Sequence, residues 1–317
     1  MREAFETYSI FKNLDDSVLL INDVLKVFNF EFQKISIKGL QDNFAELFNY
    51  KKSSDRSPYV NFQGEKVKSN FFKLILKSPF FLSQFNKSDD PMYYIFLKDL
   101  EPDNSALLNE TVHLSFKSFA RTQKFSEVLL NKLRLYKSGN ISSIGYIIIS
   151  EKSRHIFLSA IEFTPKIAHS RNYSLKKDDA PLINKTLLSE FKINRLSELA
   201  FQNFQDSYRI IDPRLRFLTL MTALECIFNC GKDQIAHTIS RHVALIVSKD
   251  PDSFQINYTK MKKLYNLRND YIHGSSIKKP KEDLFELEEY VREALNYTLK
   301  SDSTKEALFT HLNKMGY

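Results

Sequence analysis

Six consecutive residues, Arg268-Asn269-Asp270-Tyr271-Ile272-His273, hold the densest chemistry in this chain. The guanidinium offers a fork of donors that matches phosphate oxygens, and the imidazole moves a proton near neutral pH. The amide between them donates and accepts hydrogen bonds without carrying charge. Together these groups suit the handling of a phosphodiester.

The hexapeptide is expected to close an amphipathic helix that runs from about Phe254 to His273 and stops at Gly274. At about 100° per residue, Leu264, Leu267 and Tyr271 form one stripe and should face a core. Asn269 and His273, four apart, share the opposite face. Arg268 lies beside the core stripe, about 140° around from His273. One ideal helix therefore cannot aim both residues at one phosphate. Either its last turn opens at Gly274, or a second copy of the helix completes the site, which predicts a two-fold dimer.

The elements that must position this helix read as an α+β chain. From about Phe28 to Phe163 the pattern is strand-like: Phe30–Ile37 alternates apolar and polar residues, Tyr93–Leu97 and Tyr146–Ile149 are aromatic and β-branched runs, and His113–Phe116 is a further strand. Glu151–Arg154 reads as a hairpin turn before the strand Ile156–Phe163, and Phe125–Lys137 reads as a helix. Residues 1–165 are thus expected to form a mainly β, mixed domain. Residues 166–190 read as a linker, polar and without a clear period. Residues 191–317 are expected to form an all-α antiparallel bundle. Its helices are Ile193–Ile210, a second opened by Asp212 and Pro213, Ile235–Val247, the motif helix, one opened by Pro280, and Thr304–Asn313.

Composition narrows the classes. With 317 residues, 43% hydrophobic and 26% charged, the chain is an ordinary globular one of about two domains. Seven glycines and the absence of GxGxxG or GxxxxGK[ST] argue against a Gly-rich nucleotide loop. No apolar run is long enough to span a bilayer and no apolar signal core opens the chain, so no membrane association and a cytoplasmic location are expected. Cys226 and Cys230 read as buried thiols in a reducing compartment, and the scattered His113, His155, His169 and His311 suggest no metal site and no cofactor. Of the net charge of +8, residues 190–317 contribute 19 basic against 17 acidic side chains and residues 1–189 contribute 27 against 21. That excess is compatible with nucleic acid without demanding it.

The pattern Arg268-Asn269-x-x-x-His273, late in a helical bundle, resembles the HEPN superfamily. The upstream helix Leu220–Phe228 and the phrase Leu267–Gly274 are similar to its ApeA-like, phage-defence branch. The resemblance covers about residues 195–300; no motif in residues 1–165 carries it. It implies metal-independent RNA cleavage within a homodimer, with Arg268 and His273 as the catalytic pair and Asn269 as the polar residue that follows the arginine. Glu225 and Arg241, on neighbouring helices, match positions that support such sites, although they also read as an ion pair with each other. Lys262 and Lys263, in a basic run with Lys260, read as a solvated face or as contacts to an RNA backbone. His237 and His242 read as surface or packing residues.

RNA supplies its own nucleophile, the 2′-OH, so an enzyme need only move protons and stabilise an anionic phosphorane. His273 is expected as general acid or base, Arg268 as the group binding the growing charge, and Asn269 as an orienting group. The products would be a 2′,3′-cyclic phosphate and a 5′-hydroxyl. Residues 1–165 are expected to sense a trigger, such as a phage-derived one, or to hold a regulatory partner. Two rivals stand beside this reading: a non-catalytic bundle that dimerises or binds nucleic acid, and a regulatory subunit of a defence or toxin system.

Overall fold

The computed structural model describes residues 5–36, 59–62, 65–68, 93–101, 117–150, 156–159, 172–229, 234–273, 281–300 and 304–315. The chain divides into two compact units. The first is Met1–Leu133 with Gly139–Lys166 and Ser170–Ser189; the second is Arg134–Ser138 with Ile167–His169 and Glu190–Tyr317.

Among the described residues the first unit is built on a seven-stranded sheet: β1 (Phe5–Lys12), β2 (Phe30–Ser36), β3 (Tyr59–Phe62), β4 (Glu65–Lys68), β5 (Tyr93–Asp99), β6 (Ser142–Ser150) and β7 (Ile156–Ser159). Their order is β2-β5-β1-β6-β7-β3-β4. All neighbours are antiparallel except β3 and β7. Edge strand β2 buries Phe30 and Phe32 and turns Glu31 and Gln33 away, the alternation expected of it. Strand β1 lies inside the sheet and was not anticipated. Thr7, Ser9 and Phe11 are buried on one face and Tyr8, Ile10 and Lys12 on the other, so it shows no apolar alternation. The expected strand His113–Phe116 and the turn Glu151–Arg154 lie outside the described residues.

Among the described residues, helices α1 (Asn22–Val27) and α2 (Lys117–Tyr136) come next. The first turns of α2 are tied to the sheet through polar contacts. Asp99, buried, accepts from Arg121 Nε at 3.0 Å and from Ser118 and Thr122 at 3.3 Å, and Thr7 Oγ1 lies 2.6 Å from Ser118 Oγ. Burial raises the Asp99 carboxyl above its ordinary value, although the Arg121 charge opposes the shift.

The segment expected as a linker is partly structured. Tyr173, fully buried, donates its N–H to Asn13 O at 2.8 Å, and helix α3 (Ala180–Leu188) buries Ile183 and Leu187. A Cβ on Gly139, whose φ is +155°, would lie 2.7 Å from Tyr173 Cα, so the chain there needs glycine. The polar composition of 172–189 hid this because its anchors are few and widely spaced.

The second unit is mostly helical. Its helices are α4 (Glu198–Ser207), α5 (Pro213–Phe228), α6 (Ile235–Val247), α7 (Pro251–Ile272), α8 (Lys281–Thr298) and α9 (Lys305–Lys314). Helix α4 starts at Glu198 rather than at Ile193. Asp212 caps α5 by accepting from Arg214 N and Leu215 N, with Pro213 at the first helical position, as expected. Helix α7 begins three residues before Phe254, because Asp250 and Ser253 form a reciprocal cap around Pro251. Phe204, Phe217, Leu220, Leu224, Ile239, Val243, Leu264, Leu287, Val291 and Leu312 form one contiguous core from all six helices.

An ionic cluster crosses this core. Glu288 on α8 is 2% exposed; it accepts from Tyr208 Oη at 2.9 Å, Arg292 Nη2 at 2.8 Å and Arg216 Nη2 at 2.7 Å. Arg292 Nε donates to Arg134 O at 2.7 Å, and the Arg134 guanidinium lies 4.1 Å from the Tyr208 ring centre. Burial lowers Arg134 to about 10 and pushes the Tyr208 phenol well above its ordinary value. Breaking a buried pair leaves its partners uncompensated. Glu288→Gln is therefore expected to cost about 3–5 kcal/mol, measured as a lower urea midpoint at unchanged slope.

Candidate functional site

The site is positioned by α5 and α7. On α7, Leu264 and Tyr271 enter the core and Leu267 packs against its edge, the stripe expected from the helical period. The Tyr271 ring meets Phe217 of α5 edge-on at 5.3 Å, which sets the last turn of α7 against the first turns of α5.

Arg268 leaves α7 beside this stripe and reaches the far end of α5. Its Nη2 is 3.3 Å from Glu225 Oε1, its Nη1 donates to Asn269 Oδ1 at 3.2 Å, and its guanidinium lies 5.8 Å from the Tyr265 ring centre. The Arg268 side chain keeps 30% of its surface exposed, and that of Glu225 19%. Glu225 Oε1 is itself buried, with a charge partner but no hydrogen bond among the described residues. Burial, followed by the charge of Glu225, raises the Tyr265 phenol. Arg268, Asn269, Glu225 and Tyr265 therefore form one cluster. Tyr265 was missed in the sequence, where its only signal was a position three residues before Arg268 on the same helical face.

The His273 side chain makes no hydrogen bond to that cluster among the described residues. It is the C-cap of α7, with φ −83° and ψ 5°, and its N–H donates to Asn269 O at 3.0 Å. Its imidazole is exposed and makes no hydrogen bond among the described residues. Gly274, the expected stop, lies outside them. The helix ends with an anchored guanidinium at its flank and an exposed imidazole at its tip.

Arg241, expected as a supporting residue, makes its hydrogen bonds to the end of α9. Its Nη1 and Nη2 donate to Leu312 O at 3.3 Å, Asn313 Oδ1 at 3.3 Å and Met315 O at 3.0 Å, holding the last carbonyls of α9. Nor does it pair with Glu225, whose charge partner is Arg268. The basic run is largely committed to α8: Lys260 pairs with Glu286 at 2.7 Å and Lys263 with Asp283 at 3.5 Å. Lys262 instead lies 5.9 Å from the Tyr258 ring centre. Cys226 is half-buried, with its thiol pushed up by burial, and Cys230 lies outside the described residues, as do His113, His155 and His169. Among the described residues, no three His, Cys, Asp or Glu side chains converge on a point where a metal ion could sit.

His242 packs between Phe228 and Phe309, at 5.8 and 4.7 Å between ring centres, with Nε2 3.2 Å from Asn313 Oδ1. Burial lowers its pKa, and the Asn313 contact only partly opposes this. The unfolded chain thus takes up a proton at a pH where the folded chain does not. Stability is complete above 6.5 and is lost as pH falls through the lowered folded value. His242→Phe is expected to flatten this acid-side loss, read from urea midpoints across that window. Arg241→Ala is expected to cost about 1–3 kcal/mol and to speed amide exchange at Leu312–Met315, while the contact between Arg268 and Glu225 stays intact. Comparisons with protein-family models, with curated proteins and with solved structures each gave no match.

Proposed function

We propose that the helical unit is a metal-independent endoribonuclease of the HEPN type that works as a homodimer in the cytoplasm, in bacterial antiphage defence. The observation that carries this reading is the Arg268 cluster, anchored on the flank of α7 and followed by an exposed imidazole at the tip of the same helix. Glu225 positions the guanidinium, and Asn269, accepting from Arg268 through Oδ1, keeps its amide N–H groups for a phosphate oxygen. Arg268 then binds the charge that grows on the phosphorane. His273 takes the proton from the 2′-OH or gives one to the departing 5′-oxygen.

The composite site is supported by the surface around the tip. Ile272 is exposed beside Tyr271, and Ile211 and Leu215 are exposed around the start of α5, which Tyr271 contacts. A second copy docked on this end brings its own His273 towards the first copy's Arg268. Of the two lysines assigned to RNA, Lys262 is the better candidate, because Lys263 faces Asp283. The first unit, on this reading, gates the nuclease in response to a phage-derived trigger or a regulatory partner.

A second reading is favoured by the Arg268–Glu225 pair itself, which also suits a helical module that dimerises or binds nucleic acid without cleaving it. Cleavage of RNA in the presence of chelator separates the two. His273→Ala and Arg268→Ala are each expected to slow cleavage by about 10²–10⁴-fold, leaving a 2′,3′-cyclic phosphate as the product end in the unaltered enzyme. Retained cleavage in both variants would rule the assignment out. Light scattering on the eluted protein should return about twice 37.1 kDa, and an active monomer would overturn the composite site.

A further inference from the structure

The first unit contains a cavity of about 330 Å³ between α2, α1, β2 and α3, within the range of small-ligand sites. Ten described residues line it: seven carry apolar side chains and three cationic ones, with no acidic or neutral polar side chain among them. Phe125 stacks on Phe30 at 4.1 Å with the rings 2° from parallel, and Phe28, 37% exposed, leans on Phe125 at 5.5 Å. Val128 and Leu187 add aliphatic wall.

The three cations differ in how far they are committed. Arg121 is held by Asp99 and Glu101 and lies 5.4 Å from the Phe30 ring centre. Lys132 is buried, with its ammonium donating to Leu187 O and Ser189 O, each at 2.6 Å. An ammonium has three N–H donors, so two carbonyls leave one for a further acceptor. Lys124 is exposed and has no ion pair among the described residues. A wall of hydrocarbon with cations at its border selects a molecule with an apolar body and one anionic end. A nucleobase edge or a sugar would need neutral polar side chains, and among the described residues none lines this space.

We propose that this cavity binds a small apolar carboxylate, an alkyl or aryl acid, with its hydrocarbon against Phe30, Phe125 and Val128 and its carboxylate at Lys124 and Lys132. The proposal stands whether or not the helical unit cleaves RNA. Where that reading also holds, it gives the sensing unit a ligand class.

Calorimetric titration of the full chain with decanoate, below its micelle concentration, is expected to show one saturable site. Octanoate should bind about tenfold more weakly for its two lost methylenes. Decanol, lacking the charge, should bind at least about tenfold more weakly than decanoate. Val128→Trp fills the cavity and should remove binding. Lys124→Glu changes an exposed residue that the fold does not depend on and should weaken binding even where Val128→Trp fails to fold. Repeating the titration in His273→Ala keeps this result separate from the nuclease reading, since binding there should be unchanged. Absence of a saturable site, equal affinity for decanol, undiminished binding in Lys124→Glu, or displacement of decanoate by adenosine monophosphate at comparable concentration would each overturn the proposal.

Discussion

The helical unit depends on one buried carboxylate. Glu288 accepts from the residue that follows α4, from α5 and from a neighbour one turn along its own helix α8. Fixing Arg216 fixes the rotation of α5. Glu225 lies nine residues further on and about 180° around the same helix, so it faces away from the Glu288 cluster and towards α7. There it holds Arg268. One ion cluster in the core thus sets the angle at which a second, half-exposed pair meets solvent.

The two pairs behave differently because their surroundings differ. Around Glu288 almost no water remains, and every lone pair needs a protein donor. Around Glu225 the guanidinium is anchored yet partly exposed, and several of its five N–H groups have no partner among the described residues. The guanidinium is oriented by the fold and only partly neutralised by it. His273, one residue past the helix, keeps an exposed ring, and its backbone N–H donates to Asn269 O.

Parts of this were legible in the chain. The edge strand β2 was visible because one of its faces is wet, and the caps at Asp212 and Pro213 marked the start of α5. The inner strand β1 was not, since Thr7 and Ser9 are buried for hydrogen bonds to other elements and break the apolar pattern. The 172–189 segment looked like a linker because a few anchors, Tyr173 above all, hold it. The grouping of Arg268, Asn269 and Glu225 was expected; that Glu225 pairs with Arg268 while Arg241 bonds to the end of α9 was not legible, because period and spacing do not say which neighbour a long side chain will reach.

Local chemistry determined what the sequence could announce: the capped start of α5, which stripe of α7 is apolar, and that Arg268 and His273 diverge by about 140° around it. These follow from backbone geometry over a few residues. Tertiary packing decided the rest. It chose Glu225 over Arg241 as the neighbour of the motif, committed Lys260 and Lys263 to acids of α8, and assembled a cavity from residues more than 160 positions apart. Such choices turn on which side chains are desolvated together, and only the packed chain defines that.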